Sequence, residues 1–417
     1  MIAYTVMVKK IVYNISGQYD PDDCLVNTNH TEVLHINDCI HHQLVVNKNG
    51  INMHHKSRKW DRYKKLTNDY ELVFTSVQSC PSIAEYNPIS RSYFKLWEIL
   101  CDFTDEFAFP DRPMNAVFLA DAPGGFGEAL INYRKGRSGI TDTMYGMSLK
   151  ATNKVIPNWK FNQAYCVDNN LTLCYGSSGT GNLYNINNIH DLVQTVGINS
   201  TYFVTADGGF DFSSDFNNQE DMSLNLILCE IYTALNIQKE GGSFVLKIYD
   251  IHNEATMRLL YILKCFYNNM YFVKPLSSRP ANSEKYVVCT GFSKASGDYE
   301  RTLEILRQNI VDFRAHNLLK AVSLPMPFIL DIVRFNKAYI ANQTLHIIKT
   351  LSLIEQNEKN DAAIIRHQVK KALKWCFKYD TKISLNSLKR YKATYFDAPT
   401  SAPTPPISAS SSMLGLT

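Results

Sequence analysis

Between residues 87 and 295 the chain alternates strand-length apolar runs with stretches of helical spacing, and this alternation constrains its fold more than any other feature. Met114–Ala120, Thr143–Leu149, Tyr202–Ala206, Ser243–Tyr249, Met270–Val273 and Lys285–Cys289 are β-branched and aromatic runs of strand length. Glu128–Tyr133, Ser223–Gln238 and Ala255–Tyr267 lie between them and read as helices. Strands separated by helices predict an α/β fold, a mostly parallel sheet covered on both faces. Ligands of such sheets sit at the C-terminal strand ends, near the reversal in strand order, so polar residues there carry the most information.

The flanking segments have other textures. A chain of 417 residues exceeds one ordinary hydrophobic core, so several domains are expected. Residues 1–86 mix short β-like runs (Tyr4–Val8, Leu44–Val46) with Asn- and His-rich turns and a basic stretch. Residues 296–396 are strongly helical. Leu303, Leu306, Ile310 and Phe313 form one stripe, Ile329, Val333, Ile340, Ile347 and Leu351 a second, and Ile364–Phe377 a third beside a dense run of lysines. Residues 397–417 are rich in Pro and Ser and read as a disordered tail. The ten cysteines include no CxxC pair and sit mostly in apolar runs, as reduced thiols of an intracellular protein would. No run approaches a membrane span and no secretory signal pattern stands at the start, so a soluble protein with no membrane partner is expected. The net charge of +4 confines any nucleic-acid surface to a local patch.

Residues 118–130, FLADAPGGFGEAL, combine a strand, a glycine bend and a helix start. Gly124 and Gly125 permit close backbone approach, and the helix-start N–H groups suit a carboxylate or phosphate. A tight turn packing strand against helix has the same pattern. Leu130 stands where GxGxxG needs glycine, and GxxxxGK[ST] is absent, which disfavours dinucleotide and P-loop chemistry. S-adenosylmethionine remains, its amine and carboxylate suiting Asp121 and the adjoining backbone.

Four charged residues occupy positions that a core would leave apolar. Lys247 lies inside SFVLKIYD, Asp207 ends YFVTAD, Glu284 precedes KYVVC and Lys95 sits in the helix SRSYFKLWEIL. Any one of them suits a structural ion pair. Together they suit deprotonation of a hydroxyl during methyl transfer, which needs a base and orientation but no metal. For a lysine base this requires a pKa lowered from about 10.4 toward neutrality. Burial and a second ammonium push it down, and a carboxylate pushes it up.

These residues, in order, resemble the FtsJ/RrmJ-like family of RNA ribose 2′-O-methyltransferases and its Lys-Asp-Lys-Glu tetrad. The resemblance rests on SRSYFK (Lys95), DAPGGFGE (121–128), YGMSLK (145–150), TADGGFD (Asp207), GGSFVLKIYD (Lys247) and SRPANSEKYVVC (Glu284), across about half the chain. It is closest to the cap-specific branch of eukaryotes and large DNA viruses. The resemblance implies a Rossmann-like fold with a seven-stranded sheet and S-adenosyl-L-methionine as cofactor. It implies Lys247 as general base, Asp207 and Lys95 as its tuning partners, and Glu284 as a positioning group. It assigns Asp121, Ala122, Pro123, Gly124, Gly125, Phe126, Asn182 and Asp207 to the cofactor, Asn182 standing in GTGNLYN where the family has an adenine-contacting aspartate. It also brings Ser278 and Arg279 close to the RNA. The implied substrate is capped RNA, with other viral capping or transcription proteins as partners, in the viral factories of the host cytoplasm or packaged in the virion. Internal RNA such as ribosomal RNA is an alternative substrate. A catalytically silent RNA-binding or virion structural protein is an alternative of another class.

An RNA surface is expected in HHKSRKWDRYKK, residues 54–65, where Lys56, Arg58, Lys59 and Arg62 interleave with Trp60 and Tyr63. Cations would contact phosphates and the aromatic rings would stack on bases. A solvated basic loop has the same composition. His41, His42, His54 and His55 lack cysteines at ligand spacing and read as surface histidines.

Overall fold

The computed structural model describes residues 11–15, 31–55, 59–75, 80–151, 156–210, 212, 215–295, 298–313, 319, 322–356 and 361–397. Its strands are β1 (Ile11–Asn14), β2 (Asn115–Leu119), β3 (Thr143–Met147), β4 (Leu171–Cys174), β5 (Thr201–Ala206), β6 (Gln238–Ile248), β7 (Tyr267–Lys274) and β8 (Lys285–Phe292). The first helices are α1 (Thr31–His55), α2 (Lys59–Leu66), α3 (Ser92–Asp102), α4 (Thr104–Phe107), α5 (Gly125–Ser138) and α6 (Gln163–Asp168). They are followed by α7 (Ile186–Val196), α8 (Gln219–Ile237), α9 (Glu254–Phe266), α10 (Tyr299–Val311), α11 (Met326–Gln356), α12 (Ala362–Lys378) and α13 (Leu385–Tyr391).

The strands form one sheet in the order β1-β7-β8-β6-β5-β2-β3-β4. Strands β4, β3, β2, β5 and β6 run parallel, whereas β8, β7 and β1 pair antiparallel. The expected seven-stranded sheet is thus extended by β1, a four-residue edge strand from the N-terminal segment. The chain runs from β2 outward through β3 and β4, then returns through β5 and β6 on the other side. The strand order therefore reverses between β2 and β5, at the chain turns after Leu119 and Ala206.

Alternation along β2 explains why both faces are covered. Val117 and Leu119 point into one core, Ala116 and Phe118 into the other, and all four are fully buried. The first core also takes Leu44 from α1, Trp60 from α2 and Phe328 and Ile347 from α11. The second takes Trp375 and Val369 from α12. The flanking segments therefore complete the two faces of the sheet.

Two expectations are corrected. Leu44–Val46 lies inside α1, where Asn37, Leu44, Lys48 and Ile51 repeat along one buried face while Val46 is exposed. His41 is no free surface histidine, since its ring stacks on His252 with centroids 3.7 Å apart. The run Tyr4–Val8 lies outside the described residues, as does the Pro/Ser-rich tail beyond Asp397. Among the described residues no helix is long and apolar enough to cross a membrane.

Candidate active site

Four chain segments deliver the charged residues to one place. Asp207 follows β5, and Lys247 is the penultimate residue of the neighbouring parallel strand β6. Glu284 directly precedes β8, whose Tyr286 lies opposite Lys247 in antiparallel register. Lys95 comes from the first turn of α3. The ends of β5 and β6, the turn before β8 and the first turn of α3 thus meet at the C-terminal edge of the parallel strands, where the strand-order reversal opens space above them.

The four groups alternate in charge. Lys95 Nζ lies 2.7 Å from Glu284 Oε1, and Lys247 Nζ lies 3.8 Å from Glu284 Oε2 and 3.4 Å from Asp207 Oδ1. Lys247 also donates to the Asp207 backbone carbonyl at 3.3 Å. The Tyr286 hydroxyl donates to Asp207 Oδ1 at 3.1 Å, and Ser278 Oγ to Glu284 Oε1 at 2.9 Å. The four side chains are between 9% and 13% exposed, so little water weakens these contacts. For Glu284, burial pushes the carboxyl up, but Lys95, Lys247 and Lys274 outweigh it and hold it far below the usual range.

Lys247 departs from the sequence expectation. Burial pulls its pKa down, yet Asp207, Tyr249 and Glu284 together carry it above the ordinary 10.5. The Lys95 ammonium, meant to oppose this, is spent on Glu284 at 2.7 Å. The carboxylates therefore win, and Lys247 is an ammonium in this structure.

A cavity of about 870 Å³ opens above the four residues, within the range of small-molecule sites. Asp207, Lys247 and Glu284 line it, as do Ala122, Pro123 and Asn182. Its apolar wall of Leu149, Pro157 and Leu183 beside Asn182 suits an adenine ring, and the Asp207 carboxylate suits a cationic group. These residues fit S-adenosylmethionine.

The rest of the glycine loop stands behind this wall, for reasons that can be named. Asp121 Oδ1 and Oδ2 accept the Phe126 and Gly127 N–H groups at 3.0 and 2.8 Å, so its carboxyl caps α5. Burial and then the neighbouring Asp207 raise its pKa well above the ordinary value. Phe126 is fully buried against Tyr286. A Cβ on Gly124, where φ is +116°, would stand 2.5 Å from the Phe161 ring. One on Gly125 would stand 2.1 Å from Ser92 Oγ. Both glycines thus admit protein groups, and Asp121, Gly124, Gly125 and Phe126 hold the turn that carries Ala122 and Pro123 to the cavity.

The expected RNA-contacting residues divide. Lys56 and Arg58 lie outside the described residues. Lys59 is exposed, whereas Arg62 pairs with Asp361 at 3.1 Å. Trp60 and Tyr63 are 2% and 3% exposed, so they are core and cannot stack on bases. Arg279 grips Glu71 through two bonds of 2.9 and 2.7 Å, and Arg91 reaches the same carboxylate at 3.1 Å. Burial pushes Glu71 up, but the two guanidinium groups bring it down to about 2. Arg279 therefore ties down the loop before Glu284, and is not a free cation beside the cavity.

Sequence reasoning passed over Tyr249 and Tyr286. Tyr249 lines the cavity and stands two residues after Lys247, the spacing that puts neighbours on one side of a strand. The buried acids Glu71 and Glu98 gave no local sign, because the cations that face Glu71 and the amides that face Glu98 lie elsewhere in the chain. Glu98 accepts the N–H groups of Leu276 and Ser277 at 2.7 and 2.6 Å.

Residues 88–292 match the FtsJ-like methyltransferase family. The cap-specific mRNA (nucleoside-2′-O-)-methyltransferase 1 of Ailuropoda melanoleuca is 31% identical over 235 residues, covering 54% of this chain and 27% of that protein. The corresponding Homo sapiens protein is 33% identical over 199 residues, covering 45% and 23%. The cap-specific mRNA (nucleoside-2′-O-)-methyltransferase 2 of Mus musculus is 28% identical over 273 residues, covering 64% and 35%. The chain thus spans about a quarter to a third of the length of these relatives. Among solved structures, human methyltransferase-like protein 13 in complex with SAH is 10% identical with a TM-score of 0.30, covering 55% of this chain and 90% of that one.

Proposed function

We propose that the FtsJ-like methyltransferase domain formed by residues 88–292 methylates the ribose 2′-hydroxyl of RNA, and that its substrate is capped mRNA. The observation that carries this reading is the alternating row Lys95–Glu284–Lys247–Asp207 beneath a cavity at the strand-order reversal. S-adenosylmethionine, when bound, supplies an activated methyl group and leaves as a neutral thioether. The loop from Asp121 to Phe126, with Asn182 and Asp207, would hold it, and Ala122, Pro123, Asn182 and Asp207 line the cavity in support of that reading. Lys247 Nζ, once it has released its own proton, takes the proton of the 2′-hydroxyl as the oxygen attacks. Lys95 fixes Glu284, and Glu284 with Asp207 aims the Lys247 amine. No residue here needs a metal for that task.

The cap enters from the names of the relatives, all cap-specific mRNA methyltransferases. The motifs look most like those of the FtsJ-like methyltransferase of African swine fever virus. That likeness extends the proposal to a viral protein working in the host cytoplasm or carried in the virion, beside other capping or transcription proteins.

Purified protein given labelled S-adenosylmethionine with matched capped and uncapped RNAs tests the substrate, and nucleoside analysis locates the methyl group. Label on the 2′-oxygen of capped RNA alone is expected. No label on either RNA, together with no cofactor binding in calorimetry, would favour the silent RNA-binding protein. Lys247→Ala is expected to lower transfer by about 10²–10⁴-fold with the fold retained. Near-normal transfer would remove Lys247 from the role of base.

A further inference from the structure

We infer that helix α11, outside the methyltransferase domain, holds Glu284 in place for catalysis, with Tyr339 and Gln343 as positioning residues. The inference rests on the assignment of Glu284 to the active row. Its observation is that α11 directs two donor side chains at one short stretch of backbone. The Tyr339 hydroxyl lies 3.1, 3.0 and 3.2 Å from the carbonyl oxygens of Asn282, Ser283 and Glu284. One helical turn later, Gln343 Nε2 donates to the Ala281 carbonyl at 3.2 Å and to Ser283 Oγ at 3.1 Å. Lys274, at the end of β7, donates to the Asn282 carbonyl at 2.8 Å and closely to that of Glu284.

Four successive carbonyl groups, 281–284, thus converge on donors from α11 and β7. Aligned carbonyl dipoles repel one another, and in a buried turn only fixed donors offset that repulsion. The first half of the same loop is held from the other side. Glu98 accepts the amides of Leu276 and Ser277, and Arg91 donates to the Ser277 carbonyl at 2.8 Å. Release of either half lets Glu284 drift from Lys95 and Lys247. The α3 clamp lies within residues 88–292, whereas the α11 clamp comes from beyond them. The Glu284 carboxylate is therefore oriented by a segment the domain does not contain.

The ring of Tyr339 has a separate packing role, with the ammonium groups of Lys285 and Lys274 at 4.3 and 5.9 Å from its centroid. Tyr339→Phe keeps the ring and removes only the hydroxyl. In the full chain, with a defined capped RNA, this variant is expected to lower kcat about tenfold, the cost of a small misplacement. KM for RNA and the calorimetric affinity for S-adenosylhomocysteine should stay within twofold of wild type. Amide hydrogen exchange should rise in residues 276–286 and not elsewhere. Gln343→Leu is expected to give the same pattern, and decides the matter if circular dichroism shows Tyr339→Phe to be unfolded. Wild-type kcat with unchanged exchange overturns the inference, as does a loss seen equally in KM and cofactor affinity. If the wild-type protein itself transfers no methyl to ribose, the functional assignment fails. The exchange measurement then still decides whether α11 clamps the loop.

Discussion

The protonation of Lys247 makes pH the sharpest perturbation of the proposed reaction. Its pKa stands above 10.5 because Asp207, Tyr249 and Glu284 outweigh burial. A base must be neutral to accept a proton, so the competent fraction of free protein at pH 7 is below about 1 in 3,000. That fraction grows tenfold per pH unit until the pKa is reached. Glu284 is held far below the ordinary carboxylate range, so it stays ionised throughout and adds no opposing limb. The expected result is a rise in kcat/KM of about a hundredfold between pH 7 and 9, with no plateau. The profile of kcat, which reports the loaded site, should bend at lower pH, since a positive charge brought next to Asp207 offsets the field on Lys247. Initial rates with labelled S-adenosylmethionine and a short capped RNA, at constant ionic strength, supply both profiles. Lys274 is a built-in complication, because burial pushes it down to about 7 in the same range. A Lys274 titration would add a step near its own pKa, whereas the Lys247 dependence keeps climbing tenfold per pH unit up to pH 9, so the shape of the profile separates the two. A kcat/KM independent of pH from 6.5 to 9 would refute the reasoning, for the proton would then not be taken by a lysine held in this field.

Asn182→Asp should raise affinity for S-adenosylhomocysteine about tenfold in calorimetry. Asn182 Oδ1 already accepts the Tyr184 N–H at 3.0 Å, and a carboxylate keeps that bond while adding an acceptor for the adenine amino group. Gly125→Ala should cost about 1–3 kcal/mol in urea unfolding and also lower kcat, because the new Cβ stands 2.1 Å from Ser92 Oγ and displaces the start of the helix that carries Lys95. Asp142→Ala should cost about 3–5 kcal/mol, since it strands Arg134, now held by bonds of 2.8 and 3.1 Å with both side chains buried. Its activity per folded molecule should be unchanged, and an unaltered melting temperature would contradict the assignment.

What could be read before folding follows from where each residue's partners lie. The interior strands are legible because burial on both faces demands long apolar runs, as in Phe244–Leu246. The edge strands β1 and β4 have four residues each and a neighbour on one side only, so their pattern is faint. Leu44–Val46 misleads because three apolar residues in a row satisfy a strand as well as a helix. The choice is made by α11, which packs on α1 and buries Leu44 but not Val46. The four charged residues are conspicuous for the opposite reason, being costly where they stand. The glycine loop is conspicuous too, but the part of its glycine requirement set by Phe161, Ser90 and Ser92 is invisible locally, because those partners are distant in the chain. Arg279 and Glu71, 208 positions apart, carry no sign of each other.

The resemblance implies unequal roles for the four charges, and their distances are unequal as well. As a source of stability the arrangement is poor, because buried ion pairs seldom outdo apolar side chains of similar volume. Its members are unequally committed. Lys95 and Glu284 close at 2.7 Å, and Ser278 adds a further bond to the same carboxylate at 2.9 Å. Lys247 stands 3.4 and 3.8 Å from its two carboxylates, and its contact with the Asp207 carbonyl is 3.3 Å, all beyond the best hydrogen-bond distance. Lys247 also lines the cavity, whereas Lys95 does not. The ammonium with the loosest bonds and direct access is the one that can exchange an existing contact for an incoming hydroxyl. In the proposed reaction the tight Lys95–Glu284 pair beside it would be the fixed reference for that exchange. If the two lysines had equal roles, Lys95→Met and Lys247→Met would be equally damaging. The unequal distances instead predict that Lys95→Met retains measurable transfer with a displaced Glu284, whereas Lys247→Met leaves no group to take the proton.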